Sequence, residues 1–262
     1  MPMIRVLVNG ATGRMGTETV AAVLREDDMV LVGAACHQDR GPSLTLPSGG
    51  KAPLSTNLGQ LFDETSPGVM VDFTNSATCM EAAVLAAGHS ISMVLGASGL
   101  TDGHLKQLEI LADENGIGIA VAPNFALGAV VLKRLLEQAA PYFEYVDIVE
   151  SHHEAKIDAP SGFALALAKS IGDDKEFQRN KAQIENLPGT RGGDYHGVTI
   201  HSIRMEGRSA HHEVIMGAPG QTLTLRHDTL GRDCYMPGVM RCIRDVVTRN
   251  GLVVGLENVL GL

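Results

Sequence analysis

The first 125 residues alternate between short apolar runs and amphipathic helical patterns. Apolar residues at helical spacing predict helices between the runs, and one such helix ends at the stop pair Asn115-Gly116. This alternation with tight turns predicts an N-terminal, doubly wound parallel sheet of the Rossmann-like α/β type. The runs that predict strands buried on both faces are residues 4–10, 30–35, 69–73, 91–98 and 117–123.

The pattern changes after Asn124. A long helical run precedes one apolar strand, and three alternating strands then follow with no helical pattern between them. Consecutive strands joined by glycine-rich turns predict a second, α+β domain with a mixed or antiparallel sheet. Residues 173–197 are polar and predict a loop.

Composition narrows the class of protein. The 262 residues are 44% hydrophobic and 19% charged, with a formal net charge of −9. The apolar runs are shorter than the roughly 18 residues of a membrane span, and no basic tract suits a nucleic acid. The start lacks a signal-peptide pattern, and the scattered cysteines Cys36, Cys79, Cys234 and Cys242 form no CxxC pair. We therefore expect a cytoplasmic protein with reduced thiols that binds small molecules, without a metal and without membrane or nucleic-acid partners.

A glycine-rich turn joins the first predicted strand to the first predicted helix. Gly10, Gly13 and Gly16 recur at three-residue spacing in the segment VLVNGATGRMG. Glycines let the backbone approach a pyrophosphate, and the free amides at a helix start attract its charge. In this context the motif predicts a dinucleotide site, with Arg14 as a further phosphate contact; an ordinary strand-to-helix turn is the alternative.

The type of cofactor depends on the end of the second predicted strand. An acidic residue there usually binds the ribose hydroxyls of NAD, whereas this chain has His37 and Gln38, followed by Arg40. Because a 2′-phosphate meets no repulsion there and Arg40 can attract it, we expect NADPH as cofactor, with NADH also accepted. The alternative is that His37 is only a surface loop residue.

The most concentrated group of reactive side chains lies in SHHEAKIDAPSGFA, residues 151–164. A nicotinamide-dependent reductase needs a proton source near the reduced atom and cations for any substrate carboxylates. His152 and His153 titrate near neutral pH, and Lys156 adds a permanent charge. The Pro-Ser-Gly turn opens the next helix, whose first amides can bind an anion. Surface histidines are the alternative, and the HExxH spacing of a zinc site is missing.

Segments along nearly the whole chain resemble one known family. The run DIVESHHEAKIDAPSGFA resembles the signature of dihydrodipicolinate reductase, also called 4-hydroxy-tetrahydrodipicolinate reductase. NGATGRMG, VDFT, GASG, APNFALGAVVL and LTLRHDTLGRDCYMPGVM agree with that family in order and spacing. The resemblance implies reduction of a small dicarboxylate cyclic imine, 4-hydroxy-tetrahydrodipicolinate by way of dihydrodipicolinate, to tetrahydrodipicolinate. It also implies NADPH or NADH as the cofactor, a place in the diaminopimelate route to lysine, and a homotetramer.

Pattern and resemblance together assign the domains and their site residues. We expect a dinucleotide-binding domain over residues 1–125, a substrate-binding and oligomerisation domain over 126–235, and a C-terminal helix over about 236–262 packed on the first domain. The resemblance implies that His152 and Lys156 are catalytic. It implies substrate contacts at His153, Ser161, Gly162, Phe163 and Ser98. It implies cofactor contacts at Gly10, Ala11, Thr12, Gly13, Arg14, Met15, His37, Phe73, Gly96, Ala97, Ser98, Ala122, Pro123, Asn124, Phe125 and Arg232.

Two positions depart from the family pattern. Position 37 commonly carries an acid, and Phe163 stands where the family has threonine. Losing a hydroxyl that binds a charged group costs roughly 1.5–3 kcal/mol. One alternative is therefore a reductase of a different cyclic imine. Another is a regulator that binds dinucleotide without turnover; against it stand the intact set of His152, His153 and Lys156 and the lack of a Tyr-x-x-x-Lys pair.

Overall fold

The chain divides into two units, each with its own β-sheet. The structure is a computed structural model that describes residues 2–47 and 49–262. One unit runs to Leu127 and resumes over Arg232–Leu262, and the other spans Gly128–Gly231. Among the described helices, none has both the length and the apolar character that a membrane crossing requires.

The described strands and helices follow one another in the order in which they are numbered. The strands are β1 (Ile4–Asn9), β2 (Met29–Ala35), β3 (Ser43–Thr45), β4 (Lys51–Ser55), β5 (Val69–Asp72), β6 (Ser92–Leu95), β7 (Gly118–Val121), β8 (Tyr145–His152), β9 (Gly193–Tyr195), β10 (Val198–Arg204), β11 (Ala210–Ala218), β12 (Gln221–Thr229) and β13 (Gly251–Val254). The helices are α1 (Arg14–Val23), α2 (Leu58–Thr65), α3 (Ser76–Gly88), α4 (Asp102–Asn115), α5 (Leu127–Ala139), α6 (Gly162–Gly172), α7 (Met236–Val246) and α8 (Leu256–Leu260). Two 3₁₀-helices cover Ala140–Tyr142 and Arg232–Tyr235.

The sheet of the first unit has the order β13-β7-β6-β5-β1-β2-β4-β3 over the described residues. Neighbouring strands pair in parallel, except for β3 and β4. Every residue of β5 and β7 is buried, as expected for strands covered by helices on both faces. The Rossmann-like parallel sheet predicted from the sequence is confirmed, although the pattern missed β3 and β4. Because the strands are parallel, the turns after β1, β2, β5, β6 and β7 all emerge at one edge of the sheet.

The C-terminal segment corrects the prediction of one helix over about 236–262. Helix α7 ends at Val246, and Gly251–Val254 then pairs in parallel with β7 as an edge strand. Gly251 and Gly255 have φ angles of +95° and +91°, in the left-handed region that cannot continue a right-handed helix. The short apolar run between these glycines therefore adds to the sheet. The helical prediction is wrong after Val246, apart from the short α8.

The sheet of the second unit has the order β12-β11-β8-β10-β9 in the described structure. Strands β8 and β10 are parallel, whereas β11 runs antiparallel to both β8 and β12. One face packs on α5 and α6 through Leu136, Ile148, Leu167 and Met216, which are fully buried. The predicted α+β architecture with a mixed sheet is thus confirmed. Between 173 and 197, the predicted loop region, the described structure contains only the short strand β9.

Candidate active site

The glycine-rich turn of the first unit folds back tightly on itself. The amides of Gly10 and Ala11 both donate to the Ala35 carbonyl at the end of β2, at 3.0 and 2.9 Å. Gly10 has a φ of +78°, and the Gly13 amide donates to its carbonyl at 2.9 Å. A Cβ placed on Gly16 would lie 2.1 Å from the Gly10 oxygen, closer than real side chains come. The turn therefore requires glycine at position 16, because backbone occupies the space of a side chain.

Helix α1 begins at this turn without a side-chain cap. Gly13 is the N-cap residue and has no side chain to accept the first-turn amides. These amides need acceptors, and together with the positive end of the helix dipole they form an anion-binding site. The turn thus fits the pyrophosphate of a dinucleotide.

Residues from several strand ends lie beside the turn. A Cβ on Gly10 would meet the Thr74 methyl carbon at 3.2 Å, and one on Gly96 would meet the Phe73 ring at 2.2 Å. The rings of Phe73 and Phe125 pack edge to face with their centroids 5.6 Å apart. The turns after β1, β5, β6 and β7 therefore adjoin where the strand order reverses on either side of β1. Ligands of doubly wound sheets bind at such a point.

The other predicted cofactor residues lie along the same edge or near it. Ala11, Thr12, Gly13, Arg14 and Met15 complete the turn and start α1, and Ala97 and Ser98 follow β6. Ala122, Pro123 and Asn124 follow β7, and Asn124 Oδ1 accepts the Ala126 amide at 2.9 Å. His37 is exposed two residues after β2 ends, and Arg232 is exposed at the start of a 3₁₀-helix.

A buried carboxylate that the sequence reasoning missed holds the ends of β1 and β5. Asp72 is fully buried, and its two oxygens accept the Asn9 side-chain amide and both the amide and the hydroxyl of Thr74, each at 2.7 Å. Burial raises the pKa of Asp72, although these hydrogen bonds favour its charged form. The signal was a carboxylate at the end of an apolar strand run. Asp72 thereby fixes the backbone on which the glycine turn and Phe73 are mounted.

Three strands of the second unit bring their polar side chains together. Glu150 and His152 lie two residues apart on β8 and so share a face of the sheet. In the register, Arg204 of β10 lies opposite His152, and His212 of β11 lies opposite Glu150. Val146 and Ile148 precede them on the same face and are buried in the core. The polar group therefore continues the core face of the sheet at the end of β8.

Glu150 is the centre of this group. Its side chain is fully buried, and the Arg204 guanidinium donates to both oxygens, at 2.9 and 2.8 Å. His152 Nδ1 lies 2.5 Å from Oε2, and the Ser161 amide donates to Oε1 at 3.1 Å. Burial by itself would raise the pKa of Glu150, but the hydrogen bonds from Arg204 and the other donors lower it to about 2. Glu150 is thus a carboxylate at neutral pH, and His152 Nδ1 donates to it.

The imidazole of His152 is consequently oriented by its neighbours. Burial lowers the pKa of His152, and the hydrogen bond to Glu150 opposes that effect. Since Nδ1 is bound to Glu150, Nε2 is the ring nitrogen that can exchange a proton with a ligand. The arrangement can supply a proton from a fixed direction, which is the requirement for a general acid.

The start of α6 lies beside His152 and His212. Ser161 is the N-cap residue; its hydroxyl accepts the Ala164 amide at 3.2 Å and lies 3.2 Å from His212 Nε2. The His212 ring is 5.3 Å from that of His152, and burial lowers its pKa to about 4. Gly162, the first helical residue, is exposed, and a Cβ there would meet nothing within 4 Å. The first turn of this helix is thus exposed, and the Gly162 amide hydrogen-bonds to the Asp158 carboxylate, as expected where helix-start amides attract an anion.

Phe163 packs inward from the same helix turn. Its ring meets the His212 ring edge to face, with centroids 4.8 Å apart and planes at 89°. The ring also lies against the core of the second unit. The phenyl group therefore covers His212, while the backbone amide of residue 163 stays in the first turn of α6.

The remaining predicted residues lie on the loop between β8 and α6. His153 is exposed, and its carbonyl accepts the Lys156 amide at 3.1 Å. Lys156 Nζ lies 2.6 Å from Asp158 Oδ1, and this contact lowers the pKa of Asp158. The ammonium group is thus held on the loop that follows His152. No three His, Cys, Asp or Glu side chains of the described chain gather as a metal ion would need.

Sequence reasoning missed Glu150, Arg204 and His212. Glu150 could have been noticed as a charge within an apolar strand run, but nothing in the sequence pairs it with Arg204, 54 positions later. Because side chains alternate along a strand, the adjacent His211 and His212 of β11 point to opposite faces of the sheet. His212 faces Ser161, whereas His211 bonds to Asp228 at 2.7 Å.

Both halves of the chain match one known family. The family described as "Dihydrodipicolinate reductase, N-terminus" matches residues 4–125, and "Dihydrodipicolinate reductase, C-terminus" matches 128–260. A 4-hydroxy-tetrahydrodipicolinate reductase from Dehalococcoides mccartyi is 41% identical over 263 residues and covers 100% of both chains. One from Desulfitobacterium hafniense is also 41% identical, over 99% of this chain and 100% of its own.

Solved structures give the same result at the level of the fold. A dipicolinate-bound dihydrodipicolinate reductase from a Paenisporosarcina species superimposes with a TM-score of 0.88 at 39% identity, covering 98% of this chain and 99% of that one. An amine dehydrogenase from Mycobacterium smegmatis, at 15% identity and a TM-score of 0.63, shares the fold alone; it covers 95% of this chain and 94% of its own.

Proposed function

The chain belongs to the dihydrodipicolinate reductase family, and from this premise we propose that it reduces 4-hydroxy-tetrahydrodipicolinate, by way of dihydrodipicolinate, to tetrahydrodipicolinate. The family, the NAD(P)H-dependent reductase class and the cofactor type predicted from the sequence are confirmed. The observation that carries the proposal for the substrate is the oriented proton donor His152 beside the open first turn of α6. That combination suits a substrate that carries two carboxylates and takes up a proton when it is reduced.

The cofactor is assigned to the first unit. The turn from Gly10 to Met15 and the uncapped start of α1 hold its phosphates, and the residues after β5, β6 and β7 complete the site. These last are Phe73, Gly96, Ala97, Ser98, Ala122, Pro123, Asn124 and Phe125, with His37 toward the ribose and Arg232 as a further contact. Bound NADPH or NADH supplies the hydride. His37 does not repel a 2′-phosphate as an acid would, and Arg40 follows three positions later, so NADPH is expected as the cofactor with NADH also accepted.

The substrate is assigned to the second unit. One carboxylate binds the first amides of α6, at Gly162 and Phe163, and His153 and Lys156 supply positive charge. His152, as imidazolium, gives the Nε2 proton to the atom that becomes electron-rich on reduction. Glu150 stabilises the charged ring, while Lys156 attracts the substrate carboxylates.

Phe163 is the observation behind the alternative, a reductase of a different cyclic imine. The family's threonine hydroxyl is missing there, and the ring instead covers His212. Because the amide of residue 163 keeps its place in the helix start, the anion site keeps its backbone donors. We therefore favour the diaminopimelate-pathway substrate over another imine. A regulator that only senses dinucleotide has no need for a buried, fully bonded Glu150–His152 pair.

The test is turnover of substrate formed in the assay from pyruvate and aspartate semialdehyde by dihydrodipicolinate synthase. The loss of reduced-nicotinamide absorbance is followed for the wild type and for Phe163→Thr, with NADPH and with NADH. Turnover by the wild type is expected. No turnover by the wild type, with activity restored in Phe163→Thr, would support a reductase of another imine. Cofactor binding without turnover in both proteins would support a regulator that only senses dinucleotide.

The homotetramer and the cytoplasmic location stay predictions. The sheet of the second unit has one face covered by α5 and α6 and is proposed to associate through the other. Light scattering of the purified chain after gel filtration measures the mass directly and distinguishes a tetramer from a dimer or monomer.

A further inference from the structure

One buried carboxylate bonds to three separate parts of the proposed substrate site. Glu150 accepts from His152 Nδ1 through Oε2 and from the Ser161 amide through Oε1. Arg204 spans both oxygens and also donates to the Asp158 carbonyl at 2.6 Å, in the loop that carries Lys156. The proton donor, the helix start and the lysine loop are therefore tied to a single side chain.

We propose that Glu150 is a positioning residue for the reaction: it fixes the ring of His152 with Nε2 as the proton-donating nitrogen and holds that ring in register with the first turn of α6. Glu150 itself does not touch the substrate. The inference rests on the proposed function, in which His152 gives the proton and the start of α6 binds a carboxylate.

The geometry separates this role from simple packing. A neutral imidazole can carry its proton on either nitrogen, and a carboxylate 2.5 Å from Nδ1 selects the form that carries it there. The second oxygen bonds to the Ser161 amide rather than to the ring, so movement of α6 and rotation of the ring are coupled through one carboxyl group. A packing residue has no need for this division of its two oxygens.

Arg204 keeps Glu150 in the form that the role requires. A buried carboxyl without a cation favours its neutral form, which would present a hydroxyl in place of a lone pair. The guanidinium bonds to both oxygens and holds the charge. Arg204 is therefore the second member of the positioning pair.

Several charged or titratable groups surround His152, and their effects differ in sign. Glu150 favours the imidazolium, whereas the positive charges of Lys156 and Arg204 disfavour it. His212 lies 5.3 Å away, and Asp158 pairs with Lys156. Glu150 is the group in direct hydrogen bond to the ring, so replacing it removes the main support of the charged form.

The test compares Glu150→Gln with Asp147→Asn. Asp147 of β8 also pairs with a histidine, His201 of β10, at 3.2 Å, but the Asp147 side chain is half exposed and bonds to none of the site residues. A general acid contributes roughly 10²- to 10⁴-fold, and Glu150→Gln removes only its positioning. We therefore expect kcat to fall by about 10- to 100-fold and KM to change by less than about threefold. The limb of the pH profile that reports His152 should move to lower pH. Asp147→Asn should leave kcat, KM and the pH profile unchanged.

A purely structural Glu150 predicts a different result. Loss of stability would lower the folded fraction, yet the remaining enzyme would keep the wild-type pH profile and its ratio of kcat to KM. An unchanged pH profile in folded Glu150→Gln would overturn the proposal.

Nitrogen NMR of the histidine rings gives a readout that needs neither turnover nor a folded Glu150 variant. In the wild type without ligand, the neutral His152 ring should carry its proton on Nδ1, with the resonance assigned by its loss in His152→Gln. A proton on Nε2 would contradict the proposal. If the wild type fails to turn over the substrate, the proposed function fails, and this measurement still decides the role of Glu150.

Discussion

The glycine turn of the first unit and the Glu150 group of the second unit reach similar ends by different means. The turn uses backbone amides from consecutive residues, and its requirement is the space that Gly16 leaves for the Gly10 carbonyl. The Glu150 group uses charged and polar side chains from three strands, and Arg204 and His212 both lie more than 50 positions after Glu150 in the sequence. A site of backbone amides is sensitive to shape, and a site of charged side chains is sensitive to charge and pH. Substitutions in the two regions should therefore fail in different ways.

The largest effect is expected from His152→Gln, which removes the proton donor without removing bulk. General acid catalysis contributes roughly 10²- to 10⁴-fold, so kcat should fall by that order while the unfolding free energy changes little. Steady-state kinetics with synthase-generated substrate measure this. The matched control is His211→Gln, because His211 lies on the neighbouring strand β11 but bonds to Asp228. Equal losses in the two variants would remove the distinction between the two rings.

Two arginines of the second unit differ in how deeply their ion pairs are buried. Arg204→Met leaves Glu150 buried without its cation and should cost roughly 3–5 kcal/mol of unfolding free energy. Arg226→Met removes a half-exposed, solvent-screened ion pair with Asp228 and should cost far less than Arg204→Met. Urea unfolding of both variants measures the difference. Similar costs would mean that Glu150 is not the charged centre described above.

The ion pair of Glu150 with Arg204 also predicts that the folded protein loses stability in acid. The folded pKa of Glu150 is about 2, below the ordinary value of about 4.3 for glutamate. A lowered pKa stabilises the fold above the unfolded value, and that stabilisation is lost as the pH falls from about 4.3 toward 2. Urea unfolding across this range should show the decline in the wild type and a weaker one in Glu150→Gln. A decline of the same size in both would contradict the assignment to Glu150.

The smallest of these effects concerns shape alone. Gly16→Ala places a Cβ against the Gly10 carbonyl and should cost roughly 1–3 kcal/mol, with weaker NADPH binding and no change in the pH profile of the remaining activity. Gly88→Ala is the control, since a Cβ there meets nothing within 4 Å at the end of α3. It should be neutral or stabilise by up to about 1 kcal/mol. Tight NADPH binding by Gly16→Ala would show that the turn tolerates a side chain.

This difference also explains what could be predicted from sequence. The glycine turn was predictable because its residues are consecutive and each strand end carries its own signal, as Gly96 and Phe125 do. Pairing of Glu150 with Arg204 depends on strand register, which the sequence pattern does not give. The direction of the Phe163 ring depends on the packing around His212. The C-terminal helix was predicted too long because a three-residue apolar run fits a helix and a strand equally well, and its flanking glycines decide the outcome.

The most direct test of the account is a titration of the wild-type protein with dipicolinate, followed by NMR of its histidine rings and backbone amides. The account predicts saturable shifts of the His152 ring and of the amides of Gly162 and Phe163, while the rings of His201 and His211 stay unchanged. Shifts confined to His201 and His211, or none at His152 under saturating ligand, would contradict the assignment of the substrate site to the end of β8 and the start of α6.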